Sequence, residues 1–388
     1  MSRPLSIFVI AGEHSGDQLG FKLMRALREM HPGDLSLRGV GGPRMAGEGL
    51  RSLFPMNDIA VMGLVPVVAR LPLLLRRIRE TAEAVIADPP DALVIIDSPD
   101  FTHRVARRVR EKLPHLPIVD YVSPTVWAWR PQRARRMRAY IDHVLALLPF
   151  EPAAHQRLGG PACTYVGHPL IERLAEFRPP PGERAPIPDG VRLLVLPGSR
   201  QSVVRRHMPL FGEVVARLAG QYPGLVAEIP AVPHVAREIE TLSAGWPVRP
   251  RIVVGEEEKL AAMRRANVAL AASGTVTLEL ALSGVPHVGA YRIDAGIRLL
   301  RLFMTLTARH ILLPNLILER RLIPEFVAED ATADNIAGAL LPLLSDTPER
   351  RRQEEGLAEL DTRMRVADAP SRLAARIVLD HAAKGGAP

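Results

Sequence analysis

Between residues 266 and 288 the chain runs through an apolar stretch, a small polar turn and a helix-compatible stretch with one acidic residue. Residues 268–272 have the composition of a buried strand, and Ser273, Gly274 and Thr275 turn the chain so that the first N–H groups of a new helix face whatever lies above. A phosphate suits that position. With Ser273 as the N-cap, Glu279 falls in the second turn and leans back toward the helix start, within reach of a ribose diol. A plain strand–turn–helix unit with a capping serine accounts for the same residues. The apolar run 193–196, followed by Pro197, Gly198, Ser199 and Arg200, repeats the layout one to two βα units earlier. Arg200 at a strand end can pair bidentately with a diphosphate, and the two turns together are far more specific than either alone.

The first half carries a second group. Gly12, Ser15, Gly16 and Asp17 form a glycine-rich turn after the first apolar run, which lets a ligand approach the backbone closely and makes them candidate contacts for a substrate or nucleotide. Its spacing is not the dinucleotide fingerprint, so a nicotinamide cofactor is not expected. Asp97 and Asp100 follow the run 92–96, where an open α/β sheet binds its ligands. The Asp-x-x-Asp spacing has no neighbouring His or Glu to complete a cation cage. A single general base for a hydroxyl fits better, with capping of the next helix by Asp100 as the plainer alternative. Trp127, Trp129 and Arg130 sit beyond the next strand end and suit a pocket wall. Asn315 and Glu325 add polar groups on a late loop, and His168 stands just before a proline-rich stretch as a hinge, a cap or a catalytic group.

These residues need strand ends to hold them. Apolar runs at 5–11, 35–40, 92–96, 118–122 and 143–147 alternate with helical patterns near 16–30, 66–87, 102–113 and 131–140. The rhythm breaks at 175–190, which holds Pro179, Pro180, Pro181, Pro186 and Pro188, and restarts with runs at 191–196, 225–229, 251–254, 268–272 and 285–290. The expectation is two doubly wound α/β domains, 1–174 and 191–365, joined by the linker 175–190 and facing a cleft. Helical patterns at 333–345, 348–365 and 370–383 close the chain, and the last segment, 366–388, could cross back to the first domain or to a partner subunit.

The length of 388 residues suits two domains, and 47% hydrophobic residues with a mean hydropathy of +0.06 supply two cores. The formal charge is +8, but the chain holds only four lysines among its 50 basic residues, a bias that genomic composition can produce. Aromatic residues make up 4%, too few for a base-stacking nucleic-acid surface. The single cysteine, Cys163, excludes an internal disulfide framework and a thiolate metal cluster. No uncharged apolar stretch approaches the roughly 18–20 residues of a spanning helix.

In order, Gly12-Glu-His-Ser-Gly-Asp17, Gly41-Gly-Pro-Arg-Met45, Ile96-Asp-Ser-Pro-Asp-Phe101, Tyr121-Val-Ser-Pro-Thr-Val-Trp-Ala-Trp-Arg130, Val166-Gly-His-Pro-Leu170, Leu196-Pro-Gly-Ser-Arg200, Ser273-Gly-Thr-Val-Thr-Leu-Glu279 and Leu313-Pro-Asn315 resemble the lipid-A-disaccharide synthases. The resemblance covers residues 11 to about 326. It implies an inverting GT-B glycosyltransferase of family 19 that joins UDP-2,3-diacylglucosamine to 2,3-diacylglucosamine 1-phosphate, releasing UDP and leaving a β-1,6-linked disaccharide. By that analogy Asp100 takes the acceptor proton, Arg200 and the helix at Ser273–Thr275 receive the departing diphosphate, Glu279 holds the ribose, and Asn315 matches a polar residue the family needs. Neither a metal nor another cofactor is implied. His14 and Thr102 depart from the family pattern, as does the stretch after Glu325.

Acylated substrates imply a peripheral enzyme on the cytoplasmic face of the inner membrane. Val67, Val68, Leu71, Leu74 and Leu75 beside Arg70, Arg76, Arg77 and Arg79 offer an apolar patch with a basic rim, although a core helix would read similarly. The resemblance also suggests a homodimer that exchanges its helical tail. A UDP-sugar 2-epimerase of the same two-domain layout is the rival enzyme, and a basic membrane- or nucleic-acid-binding protein is the rival of another class.

Overall fold

The computed structural model describes residues 4–60, 69–187, 190–292 and 310–385. The chain divides into two compact units: residues up to Glu172 together with those from Val366 onward, and Arg173–Arg365.

The first unit is built on a parallel sheet of β1 (Leu5–Ala11), β2 (Leu35–Val40), β3 (Arg51–Ser52), β4 (Ala92–Ile96), β5 (Ile118–Tyr121), β6 (His143–Ala146) and β7 (Ala162–Tyr165), in the order β3-β2-β1-β4-β5-β6-β7. Alternate residues of each central strand point to opposite faces, and both faces are covered. Phe8, Ile10, Leu93 and Ile95 pack with Ile78, Val85, Val105, Val109 and Met137. Ile7, Val9, Val94 and Ile96 pack on the other side with Leu23, Met24, Leu27, Ala374 and Val378. Burial on both sides is why these strands read as unbroken apolar runs. The helices are α1 (His14–Met30), α2 (Pro43–Gly47), α3 (Leu71–Ala87), α4 (Pro99–Lys112), α5 (Gln132–Met137) and α6 (Glu151–Arg157).

The second unit begins with α7 (Leu174–Phe177) and orders its six parallel strands β10-β9-β8-β11-β12-β13. They are β8 (Arg192–Leu196), β9 (Val226–Ala231), β10 (Arg251–Val254), β11 (Val268–Ala272), β12 (His287–Tyr291) and β13 (Glu325–Val327). Between them run α8 (Gln201–Gln221), α9 (Pro233–Ser243), α10 (Glu256–Arg265), α11 (Thr275–Leu282) and α12 (Leu313–Leu318), followed by α13 (Ala333–Leu340) and α14 (Pro348–Met364). The last helix, α15 (Pro370–Gly385), returns to the first unit and packs along α1 through Ala374, Ala375 and Val378.

The proline-rich segment is strapped to the second unit. Arg184 donates to the carbonyls of Gly284, Ser283 and Arg264, at 2.9, 3.0 and 3.2 Å, and Arg264 pairs with Glu183 at 3.0 Å. Residues 188–189 lie outside the described residues, as do Val67 and Val68 of the expected membrane patch. The rest of that patch lies on α3, where Leu71 and Leu75 are exposed while Leu74 packs against the core. Leu74 therefore corrects the expected patch, since its side chain leans into the sheet cover. Among the described residues no helix is long and apolar enough to cross a membrane.

In each sheet the chain reverses its direction of winding once. These switch points fall between β1 and β4 and between β8 and β11, the positions at which open α/β sheets bind ligands.

Candidate active site

At the first switch point Ala11 pairs with Ile96, so the loops leaving β1 and β4 emerge side by side. Gly12 abuts Ser98 so closely that a Cβ there would lie 2.4 Å from the serine side chain. Asp97 and Ser98 both take positive φ angles, 53° and 47°, a conformation that costs non-glycine residues energy and persists only when braced. Thr102 supplies bracing, its Oγ1 donating to the Asp97 carbonyl at 2.8 Å. The strained turn holds the Asp97 carboxyl half-buried beside that of Glu13. Burial and the hydrogen bond with Glu13 raise its pKa to about 6, against a smaller opposing pull from the Ser98 N–H. Asp100, two residues into α4, is different: its side chain is 89% exposed and meets Arg133 at 3.3 Å.

Asp17 is buried and spent on the main chain, which corrects its place among the expected substrate or nucleotide contacts. It is 2% exposed, and its two oxygens accept the backbone N–H groups of Gly42, Arg44 and Met45 at 2.8, 3.0 and 3.1 Å. A carboxylate at that helix start satisfies donors that the short α2 cannot satisfy itself. Ser15 donates to Glu13 at 2.8 Å, and Gly16 lets α1 pass close to the Ile96 carbonyl.

The next loop, after β5, starts with Val122 at φ 90° and ends with Arg130 at φ 53°. Trp127 is turned inward, donating from Nε1 to Glu151 at 3.1 Å and meeting Phe150 edge-on. The Arg130 guanidinium lies 4.0 Å over the Trp129 ring. His168 accepts the Leu170 N–H at 3.2 Å, and burial lowers its pKa to about 4, so it caps the turn Pro169–Arg173 as a neutral ring.

In the second unit Leu196 pairs with Ala271, which sets the turn bearing Ser199 and Arg200 beside the turn Ser273–Thr275. The N-cap of α11 is Gly274, not Ser273, and no side chain caps the helix. Its φ of 145° is open only to glycine, which moves the cap one residue along. Arg200 is the N-cap of α8, exposed at the helix start. Glu279 is only 16% exposed at its side chain and pairs with Lys259 of α10 at 2.7 Å.

Asn315 is a correction. It is fully buried, donating to the Ile323 carbonyl at 2.8 Å and accepting from the Leu322 and Ile323 N–H groups at 3.0 and 2.9 Å. Its amide holds the turn after α12. Glu325 likewise binds His310, Ile311 N and Leu312 N, each at 2.9 Å.

Sequence reading missed Glu13, Lys259 and Glu151. Glu13 was legible in principle, because the residue after Gly12 must emerge beside Asp97 once β1 and β4 are neighbours. Lys259 reaches from α10 to α11 and Glu151 reaches back from α6 to the loop of Trp127, contacts that carry no sequence signal.

Two parallel doubly wound units, each with a single switch point, define an α/β protein of the GT-B fold class. Solved structures share the fold: the UDP-GlcNAc 2-epimerase of Neisseria meningitidis bound to UDP-GlcNAc (TM-score 0.57, 11% identity, 97% of this chain and 98% of that one), and a glycotransferase of kitacinnamycin (TM-score 0.60, 16% identity, 98% and 100%). Sequence similarity is more specific. The model of the lipid-A-disaccharide synthetase family matches residues 7–376. Lipid-A-disaccharide synthases of Nitrobacter hamburgensis and Bradyrhizobium diazoefficiens are 54% and 52% identical, each over 98% of this chain and 96% and 97% of theirs. The chain belongs to the lipid-A-disaccharide synthase family, and it is a glycosyltransferase of lipid A biosynthesis.

Proposed function

We propose that this enzyme joins UDP-2,3-diacylglucosamine to 2,3-diacylglucosamine 1-phosphate by a single inverting displacement, giving the β-1,6-linked disaccharide 1-phosphate and UDP. The observation that carries the mechanism is the Asp97 carboxyl, half-buried against Glu13 and titrating near 6. A base of that strength is largely ionised at neutral pH yet basic enough to take a proton from a hydroxyl as it attacks. Asp100, on which the sequence resemblance placed this role, stands almost wholly in water and is paired with Arg133 at 3.3 Å. The base is therefore assigned to Asp97.

As the acceptor oxygen bonds to the anomeric carbon, its proton passes to Asp97 and the bond from that carbon to the diphosphate breaks with its electron pair. The negative charge gathers on UDP. Arg200 and the uncapped N–H groups at Gly274–Thr275 receive it, with Ser199 and Ser273 beside them, and Glu279 holds the ribose hydroxyls. Gly12, Ser15 and Gly16 give the acceptor sugar a close approach to Asp97, and Trp129 with Arg130 flank it. The enzyme works as a peripheral protein at the cytoplasmic face of the inner membrane, through the exposed leucines of α3.

A 2-epimerase would act on the UDP-sugar alone. Incubation with both acyl-sugars should give a product of the disaccharide mass, with UDP released only when the acceptor is present. UDP or an epimerised sugar formed without acceptor would overturn the proposal.

A further inference from the structure

The loop between β5 and α5 holds two strained residues, Val122 at φ 90° and Arg130 at φ 53°. A β-branched residue at positive φ is disfavoured, so the surrounding structure must over-determine it. The bracing comes from α6. Glu151 at its first position is 3% exposed and spends its carboxylate on two segments. One oxygen accepts from Trp127 Nε1 at 3.1 Å, and the other accepts from the backbone N–H groups of Leu147 and Leu148 at 3.1 and 3.0 Å. One turn along the same helix, His155 Nε2 lies 2.8 Å from the Ser123 hydroxyl, and both groups are buried. The loop is thus tied to one short helix near its start and at its middle.

A buried carboxylate costs free energy, and here burial raises the Glu151 pKa to about 7 against the pull of its three N–H donors. Only a carboxylate offers two acceptor atoms at that point. A glutamine of the same shape would turn its NH2 toward one of the donors.

We propose that Glu151 is a positioning residue for the acceptor sugar: by fixing Trp127 it sets the loop conformation that presents Trp129 and Arg130. This rests on the reading above that those two residues flank the acceptor. It acts through the loop and touches neither substrate.

The test is steady-state kinetics of the full chain with each substrate varied in turn. Glu151→Gln, and separately Trp127→Phe, which deletes the N–H donor and keeps a ring against Phe150, should each raise the acceptor KM roughly tenfold while the donor KM stays within about twofold. Trp129→Ala and Arg130→Ala measure the underlying reading. If neither changes the acceptor KM, the loop does not meet the acceptor and the inference falls with that reading. If they raise it but Trp127→Phe and a folded Glu151→Gln do not, the reading stands and the positioning role is overturned. Equal rises in both KM values, or a fall in kcat alone, would also overturn it. Should Glu151→Gln fail to fold, Trp127→Phe decides.

Discussion

The carboxyl of Asp97 is hydrogen-bonded to that of Glu13 across the ends of β4 and β1, two strands that lie 85 residues apart at their paired ends, Ala11 and Ile96 having been brought into register. Two acidic groups in contact cannot both ionise as freely as either alone. Burial and this contact together bring Asp97 to about 6. The acid limb of kcat/KM should therefore fall through pH 6, with activity lost as Asp97 takes up a proton. Glu13→Gln should move that limb toward lower pH, since it removes the neighbouring charge and leaves the burial. A pH–rate profile of the two proteins checks this, and an unmoved limb would detach Asp97 from Glu13.

Asp97→Asn should lower kcat by about 10²–10⁴-fold, whereas Asp100→Asn should keep most of the activity. Stability runs the other way for Asp97. Its folded pKa lies above the unfolded value of 3.8, so the charge it carries above pH 6 opposes folding, and stability falls as pH rises from about 4 to 6. The Asn variant should melt higher than the parent at pH 7–8, by an amount on the order of 2 kcal/mol. Thermal unfolding at pH 4 and pH 7.5 reads it: the two proteins should differ at the upper pH and converge at the lower.

The donor side gives a separate prediction. Lys259 and Glu279 pair at 2.7 Å with 22% and 16% of their side chains exposed. Held this way, the Glu279 side chain is fixed against Lys259 of α10. Glu279→Gln should raise the donor KM roughly tenfold with the acceptor KM unchanged, and Lys259→Met should do the same to a smaller extent, on the order of 1 kcal/mol. Titration of each variant with UDP alone, followed by calorimetry, isolates the donor step. Unaltered UDP affinity in Glu279→Gln would remove it from the ribose.

Much of this arrangement was legible in the chain. The central strands could be read because burial on both faces leaves them uniformly apolar, and the Pro-Gly and Ser-Gly-Thr turns mark where they end. The strands β3 and β13 span two and three residues, too short for any pattern, and β7 alternates exposed and half-buried positions at a sheet edge. Strand β5 stops at Tyr121 instead of 122 because Val122 swings to positive φ, which composition does not announce. The site divides in the same way. Gly12, Asp97, Arg200 and Gly274 follow from strand ends, but Asp17 looked like a ligand contact because its partners are main-chain N–H groups 25 to 28 residues away. Asn315 misled for the same reason: backbone donors have no sequence signature.

That role for Asp17 predicts stability, not catalysis. Asp17→Asn keeps one acceptor oxygen and sets an NH2 against a main-chain donor at the start of α2. It should lose about 2–3 kcal/mol of folding free energy, read by denaturant unfolding, while the KM values of the folded fraction stay near those of the parent. A stable variant with a raised KM would return Asp17 to the ligand.

The proposed membrane contact is the outer face of α3, and the two kinds of leucine there separate binding from folding. Leu71 and Leu75 are 44% and 40% exposed, with Arg76 and Arg79 also exposed on the same helix, whereas Leu74 packs against the core. Inserting the two exposed side chains into a lipid interface removes apolar area worth roughly 1 kcal/mol each, and each nearby arginine adds about 1 kcal/mol on an anionic surface. The double variant Leu71→Glu, Leu75→Glu should therefore bind vesicles containing anionic lipid at least thirtyfold more weakly, about 2 kcal/mol, with an unchanged melting temperature. Leu74→Glu should instead destabilise the first unit, because it places a charge against Ile78 and the sheet cover. Raising salt should weaken binding of the parent by screening the arginine contribution alone, leaving the leucine term in place. Sedimentation with neutral and anionic vesicles at two salt concentrations separates the two contributions, and equal sedimentation of the parent and the double variant would show that α3 is not the contact.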